Sequence, residues 1–108
     1  MTVNDLVVKC GFNTVAIPEP DREVSGAYIG DLLSWVMGRA NSGDAWITIM
    51  SNQNIIAVAT LADVACIILA ENVKLDDDTI ATANAKGINI LSSKESAYEI
   101  ALRLGGLL

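Results

Sequence analysis

The chain has 108 residues, which suits one domain that buries about two-thirds of the surface its unfolded form exposes. Apolar residues make up 52 % of the chain and aromatic residues only 5 %, so the core must be aliphatic, as in parallel sheets. The net charge is −6 and the basic residues are scattered singly, which excludes nucleic acid as a partner because phosphate neutralisation needs clustered Lys and Arg.

The opening quarter of the sequence predicts a helix and two strands. A helix is expected over 3–10, since Thr2 suits its N-cap and Gly11 suits the position after its end. Residues 13–17 and 23–29 each alternate as strands do. Two prolines between these segments predict a turn that links the strands.

Helical spacing begins after Gly30 and predicts a second helix to about residue 40. Asp31 is expected to place its carboxylate at the first turn of this helix. The inward-facing stripe is predicted to consist of Leu32, Leu33, Val36 and Met37. A third strand is expected over 45–50, where β-favouring residues follow a polar turn cluster.

The remaining sequence alternates helices and strands. Ser51 and Asn52 are predicted to cap a helix over 53–62, which precedes an apolar strand over 64–70. A helix over 76–86 then ends at a glycine, and a strand over 88–91 follows it. Ser92 and Glu95 are expected to form a capping box for a last helix that ends near residue 104.

Residues 45–104 therefore read as βαβαβα, and the predicted fold class is a three-layer α/β/α domain with a mostly parallel sheet. The segment 54–60 also has the composition of a strand. We predict it as helical because two parallel strands need a crossover connection between them. The whole chain, residues 1–108, is expected to form a single domain.

Several segments together resemble a known family. They are Asp21-Arg22 followed by Val24 and Gly26, then "YIGDLLSWVMGRA", "DAWITIMSNQNI" and "GINILSSKESAYEIA". This arrangement resembles the DRTGG domain family over nearly the whole chain. The resemblance implies a fold similar to the N-terminal domain of HPr kinase.

The same resemblance implies an association with regulatory domains and does not imply a catalysed reaction. DRTGG domains occur alone, between nucleotide-sensing CBS domains, or joined to phosphotransacetylases. Members that occur alone tend to be encoded in anaerobic bacteria near genes for iron-only hydrogenase and signalling proteins. This chain lacks a contiguous Thr-Gly-Gly, and residues 48–51 stand roughly where a glycine-bearing strand end is expected.

Asp21, Arg22 and Gly26 are predicted to form a chiefly structural motif. Neighbouring residues on a strand point to opposite faces, so Asp21 and Arg22 need separate partners. In the structural interpretation, Asp21 accepts turn amides and Arg22 bridges to a carboxylate, or to carbonyls at an oligomer contact. The alternative makes Arg22 a bidentate anion clamp.

Polar residues at the carboxyl ends of the predicted parallel strands form the candidate ligand site. Ligands bind open α/β sheets at this edge, where helix N-termini present free N–H groups to an anion. A small phosphate or nucleotide would suit such residues, although ordinary helix capping also explains the serines and asparagines. The candidates are Ser51, Asn52, Asn72, Ser92, Ser93 and Lys94, with Glu71 beside them.

No catalytic residues, cofactor or metal site are predicted. The chain has no histidine to serve as a base or a zinc ligand, and Cys10 and Cys66 are expected to be buried free thiols. Three consecutive aspartates at 76–78 favour the positive end of a helix rather than a metal. With no long apolar run and no secretion pattern, we predict a cytoplasmic protein without a membrane partner.

A non-catalytic regulatory or interaction module is the predicted function. It would form a homodimer through Arg22, Trp35 and Met37 and sense a small anionic metabolite or nucleotide. One alternative is a structural partner subunit of an anaerobic, hydrogenase-type redox system or of a signalling protein. Another alternative, for which the sequence offers no base, is an enzyme that transfers phosphoryl or acyl groups.

Overall fold

The computed structural model describes all 108 residues and contains five helices and five strands. The helices and strands alternate in the order predicted from residue 44 onward. Their bounds are α1 Val3–Cys10, β1 Asn13–Ala16, β2 Gly26–Ile29, α2 Leu33–Arg39, β3 Asp44–Thr48, α3 Asn54–Ala62, β4 Cys66–Leu69, α4 Asp77–Lys86, β5 Ile90–Ser92 and α5 Ala97–Gly105.

The strands form one sheet in the order β1-β5-β4-β3-β2. Strands β2, β3, β4 and β5 are parallel, and β1 pairs antiparallel with β5. Parallel neighbours require crossover helices, so α2, α3 and α4 each connect one parallel strand to the next. The predicted α/β/α class with a mostly parallel sheet is confirmed, as is the helical state of α3.

Two apolar cores lie on opposite faces of the sheet, each with 14 buried residues. Alternate residues of each strand point to opposite faces, so Ile47 and Ile68 enter the core covered by α1 and α5. Trp46 and Ile67 enter the core covered by α2, α3 and α4. This two-sided burial explains why β3 and β4 are buried at every position.

Two predicted helix starts are wrong. Asp31 does not lie at the first turn of α2, because its Oδ1 accepts hydrogen bonds from Thr48 Oγ1 at 2.8 Å and Ile49 N at 3.0 Å. The capping box of α5 is formed by Ser96 and Glu99, one turn after the predicted pair. In addition, Leu32 and Met37 of the predicted inward stripe of α2 are exposed.

Candidate functional site

The Asp21-Arg22 segment lies at the amino edge of the parallel strands, in a turn closed by Arg22 N donating to Glu19 O at 3.2 Å. This turn borders a hollow of about 530 Å³ that also faces the C-terminal ends of α3 and α4. The guanidinium of Arg22 donates to Asp63 Oδ1 at 3.1 Å and to Asp63 O at 2.8 Å. Arg22 thus bridges to a carboxylate and a carbonyl of its own chain, through one donor on Nη1 and one on Nη2.

Asp63 receives contacts from two loops that lie far away in the sequence. It adopts a left-handed conformation with φ of 57° at the end of α3. The Ser42 hydroxyl and the Arg22 guanidinium both donate to its carboxylate, and these hydrogen bonds hold the pKa of Asp63 below its usual value. Asp63 O also accepts from Gly43 N at 2.9 Å. The amino edge is therefore fixed by contacts within the chain.

Asn89, which directly precedes β5, holds the same turn. It is 2 % exposed, and its amide accepts from Glu19 N at 2.9 Å and donates to Glu19 O at 2.7 Å. Asn89 Nδ2 also donates a hydrogen bond to Ala65 O at 3.0 Å. The sequence offered no signal for this role, because 70 residues separate Asn89 from Glu19.

The other two motif residues have unequal roles. No hydrogen bond within the chain uses the Asp21 carboxylate, so the prediction that it accepts turn amides is wrong. Gly26 begins β2 beside the buried Asp44, and a Cβ at Gly26 would lie 2.9 Å from Asp44 Oδ1. A side chain at this position would require Asp44 to move, which gives Gly26 a packing role.

We expect Arg22→Ala to lower the free energy of unfolding by about 1 kcal/mol at pH 7, since the pair with Asp63 is largely exposed and therefore screened. The pKa of Asp63 is lowered by folding. The stability linked to this carboxylate is therefore present above its unfolded pKa and is lost as pH falls through the folded pKa.

Urea denaturation at pH 7 and pH 3 measures this effect. The difference between wild type and Arg22→Ala should shrink at pH 3. Lys86→Ala is the matched control, because Lys86 lines the same hollow and forms no ion pair. An equal loss of stability at both pH values would contradict the assigned role of the Asp63 carboxylate.

The predicted ligand residues lie at the opposite, carboxyl edge and follow three adjacent strands. Ser51 and Asn52 come after β3, Asn72 comes after β4, and Ser92 ends β5 with Ser93 and Lys94 following it. Adjacent strands are about 4.8 Å apart, so the first and last of these segments are about 10 Å apart. None of the three surface hollows is lined by these residues.

Hydrogen bonds link the loops after β4 and β5. Glu71 N donates to Glu95 O at 2.8 Å, and Asn72 N donates to Ser93 O at 2.9 Å. Glu71 and Asn72 both have positive φ, 59° and 60°, a backbone conformation that costs non-glycine residues roughly 1 kcal/mol or more. The side chains of Glu71 and Asn72 are exposed at this edge.

The helix N-termini at this edge differ in their charge. The first turn of α4 contains Asp77 and Asp78 after the capping Asp76, and the first turn of α5 contains Glu99. The first turn of α3 contains no acidic residue. Asn52 Oδ1 accepts from Asn54 N at 2.9 Å there, and Ser51 and Asn52 are exposed. An anion at this edge would meet the least repulsion at the start of α3.

The predicted interface residues do not lie together as one patch. Trp35 and Met37 are half-exposed on α2, at 52 % and 46 %, and the Arg39 guanidinium lies 3.7 Å from the Trp35 ring centroid. Arg22 lies at the amino edge in its contact with Asp63. The exposed apolar surface near α2 thus consists of Trp35 and Met37 together with Leu32.

Both cysteines are buried free thiols, as predicted. Burial raises the pKa of Cys66 to about 12, so this thiol stays protonated at neutral pH. No group of three or more Cys, Asp or Glu side chains is arranged to hold a metal ion. None of the five helices combines the length and the apolar character that crossing a bilayer requires.

Comparison with known proteins identifies the family to which this chain belongs. No curated protein is significantly similar in sequence. The fold is similar to a crystal structure of the CBS and DRTGG domains from the regulatory region of Clostridium perfringens pyrophosphatase, complexed with the activator diadenosine tetraphosphate. The TM-score is 0.70 at 14 % identity, over 95 % of this chain and 45 % of that one, so this chain spans less than half of that structure. The DRTGG domain model matches residues 19–107, and the chain therefore belongs to the DRTGG domain family.

Proposed function

We propose that this chain is a non-catalytic regulatory module that acts as a homodimer and senses a small anionic metabolite or nucleotide. The observation that carries the proposal is the carboxyl edge of the sheet, where polar residues follow three adjacent strands. Ligands of open α/β sheets bind at this edge. The proposed ligand residues are Ser51, Asn52, Asn72, Ser92, Ser93 and Lys94.

The ligand class follows from the charge and spacing at that edge. The first turn of α3 contains no acidic residue and follows the exposed Ser51 and Asn52, and Lys94 is an exposed cation that forms no ion pair. The distance of about 10 Å across three strands suits a nucleotide better than a single phosphate. The similar pyrophosphatase region was solved with a dinucleoside tetraphosphate activator, which supports the same ligand class.

The regulatory role is supported by family membership and by the side chains present. No serine or cysteine can use a histidine base, because the chain contains no histidine. At the amino edge, the charged side chains of the Asp21-Arg22 motif border Asp63 and a turn that Asn89 fixes. That edge therefore has a structural role in this proposal.

A thermal-shift screen with ADP, ATP, diadenosine tetraphosphate, acetyl phosphate and CoA esters tests the proposal. A ligand at 100 times its dissociation constant adds about 2.7 kcal/mol to stability, or roughly 10–20 °C in Tm for a domain of this size. Lys94→Ala should reduce that shift, whereas Lys86→Ala, at the opposite edge, should keep it. Retention of the shift in Lys94→Ala and its loss in Lys86→Ala would place the ligand in the amino-edge hollow and contradict the proposed site.

A further inference from the structure

The two edges of the sheet differ in how they are protected against pairing with another strand. Strand β1 has an irregular register between Thr14 and Ala16, and Pro18 follows it closely. Bulges and prolines are common devices that prevent edge pairing. Strand β2, at the other edge, reads Gly-Ala-Tyr-Ile, has neither charge nor proline, and pairs with β3 in regular register.

Four backbone groups of β2 have no partner within the chain. Gly30 N donates to Ile47 O at 3.2 Å, so alternation along a parallel strand directs the N–H and C=O groups of residues 28 and 30 toward β3. The N–H and C=O groups of Ala27 and Ile29 therefore point away from the sheet. No turn, loop or cap hydrogen bond uses them.

An apolar groove lies beside this free edge. It has a volume of about 270 Å³ and is formed by β2, β3, α5 and the C-terminal residue, with Ile29, Ile47, Leu104 and Leu108 in its lining. Ile29 is 52 % exposed and Leu108 is 44 % exposed. The strand edge thus combines unsatisfied hydrogen-bonding groups with exposed apolar side chains.

We propose that β2 pairs antiparallel with β2 of a second copy of this chain, around a two-fold axis at Tyr28. This inference rests on the homodimer part of the proposed function and names its surface. Ala27 of each copy then faces Ile29 of the other, and each of these two residue pairs exchanges two backbone hydrogen bonds. Gly26 faces Gly30, so no side chain obstructs either end of the ladder.

Side-chain size and charge favour this register. Ile29 packs over the small Ala27 and into the groove of the second copy, and symmetry makes that contact twice. The register sets Asp31 near Ser25 of the second copy. A shift by two residues toward the amino end would instead set Asp31 opposite Glu23 and oppose two carboxylates.

The flanking surface supplies the area that strand pairing alone lacks. A stable interface buries about 800 Å² per partner, more than a four-residue edge provides. Leu32 and Trp35 follow β2 directly and are 60 % and 52 % exposed. Together with Ile29 and Leu108, they extend the apolar surface on both sides of the strand.

Sedimentation equilibrium of the full chain and three variants tests the pairing. Ile29→Lys puts a charge on the strand edge, and Ala27→Pro removes only an outward N–H, which edge strands tolerate. Both should weaken the dimer at least about 30-fold and give the 11.4 kDa monomer at tens of micromolar. Leu61→Lys is the matched control, because Leu61 is 73 % exposed on α3, and it should remain dimeric.

The outcomes separate this inference from the wider proposal. If Ile29→Lys and Ala27→Pro dimerise as tightly as the wild type, the β2 pairing is wrong. The homodimer proposal is not contradicted by that result. A monomeric wild type would overturn both, while nucleotide binding is measured independently by thermal shift. Equal weakening by Leu61→Lys would also overturn the pairing. Circular dichroism verifies folding, and slower amide hydrogen exchange at Ala27 and Ile29 in the concentrated wild type is expected in support.

Discussion

Replacing Trp46 by alanine should lower the free energy of unfolding by about 3–5 kcal/mol. Trp46 is fully buried on β3 within the core under α2, α3 and α4. Its indole N–H donates to Gly30 O at 2.9 Å, which links the middle of β3 to the residue that follows β2. The variant leaves a large cavity and an unpaired carbonyl, and a domain of this size has only about 5–15 kcal/mol of stability in total.

Trp35→Ala provides the matched control for this substitution. Trp35 is 52 % exposed and contacts the Arg39 guanidinium, so its removal should change the stability of the monomer by less than about 1 kcal/mol. Urea denaturation at a protein concentration too low for dimer formation, followed by circular dichroism, measures both variants. Equal losses in the two variants would contradict the assignment of Trp46 to the core and of Trp35 to the surface.

Asn89→Leu should cost about 2–4 kcal/mol, the second-largest effect that we expect. The substitution keeps the side-chain size but leaves the part-buried Glu19 N–H and the buried Ala65 O without a partner, and Glu19 O keeps only its hydrogen bond from Arg22 N. Because Asn89 fixes the turn that carries Asp21 and Arg22, the variant should also increase the mobility of that turn.

Asn84→Leu is the control for that variant, since Asn84 is exposed on α4. Chemical denaturation gives the loss of stability, and amide hydrogen exchange at Glu19, Asp21 and Arg22 reports the mobility of the turn. Wild-type protection of the Glu19, Asp21 and Arg22 amides would contradict the account in which Asn89 positions the Asp21-Arg22 segment.

Local sequence signals predicted most of the fold. Thr2 and Gly11 bound α1 as expected, and both are read from residues within a few positions of the helix ends. The parallel arrangement followed from alternating strand and helix patterns, because only crossover helices can join parallel neighbours. The continuous apolar character of β4 likewise indicated burial on both faces.

The wrong helix start at α5 has a tertiary cause. The sequence Ser-Ser-Lys-Glu-Ser-Ala-Tyr-Glu contains two consecutive capping-box patterns, one from Ser92 and one from Ser96. Strand pairing selects between them, since Ser92 pairs with Leu69 on one side and with Asn13 on the other. Local chemistry alone fits both patterns equally well.

The contacts of the candidate sites were less predictable because their partners are distant in sequence. Arg22 meets Asp63 across 41 residues, and Asp31 meets Thr48 across 17. The sequence predicted a carboxylate or carbonyls at an oligomer contact as partners of Arg22, with a bound anion as the alternative, but only the fold identifies Asp63. The free edge of β2 is likewise a property of strand order, which residue patterns do not contain.

NMR titration of the isotope-labelled chain with diadenosine tetraphosphate or ADP tests the central claim most directly. A regulatory module that senses a nucleotide at the carboxyl edge should show the largest amide shifts at residues 51–54, at Asn72 and at residues 92–94. Binding should saturate with a single dissociation constant. Shifts confined to residues 19–22, Asp63 and residues 86–89, or no shift at millimolar nucleotide, would contradict the claim.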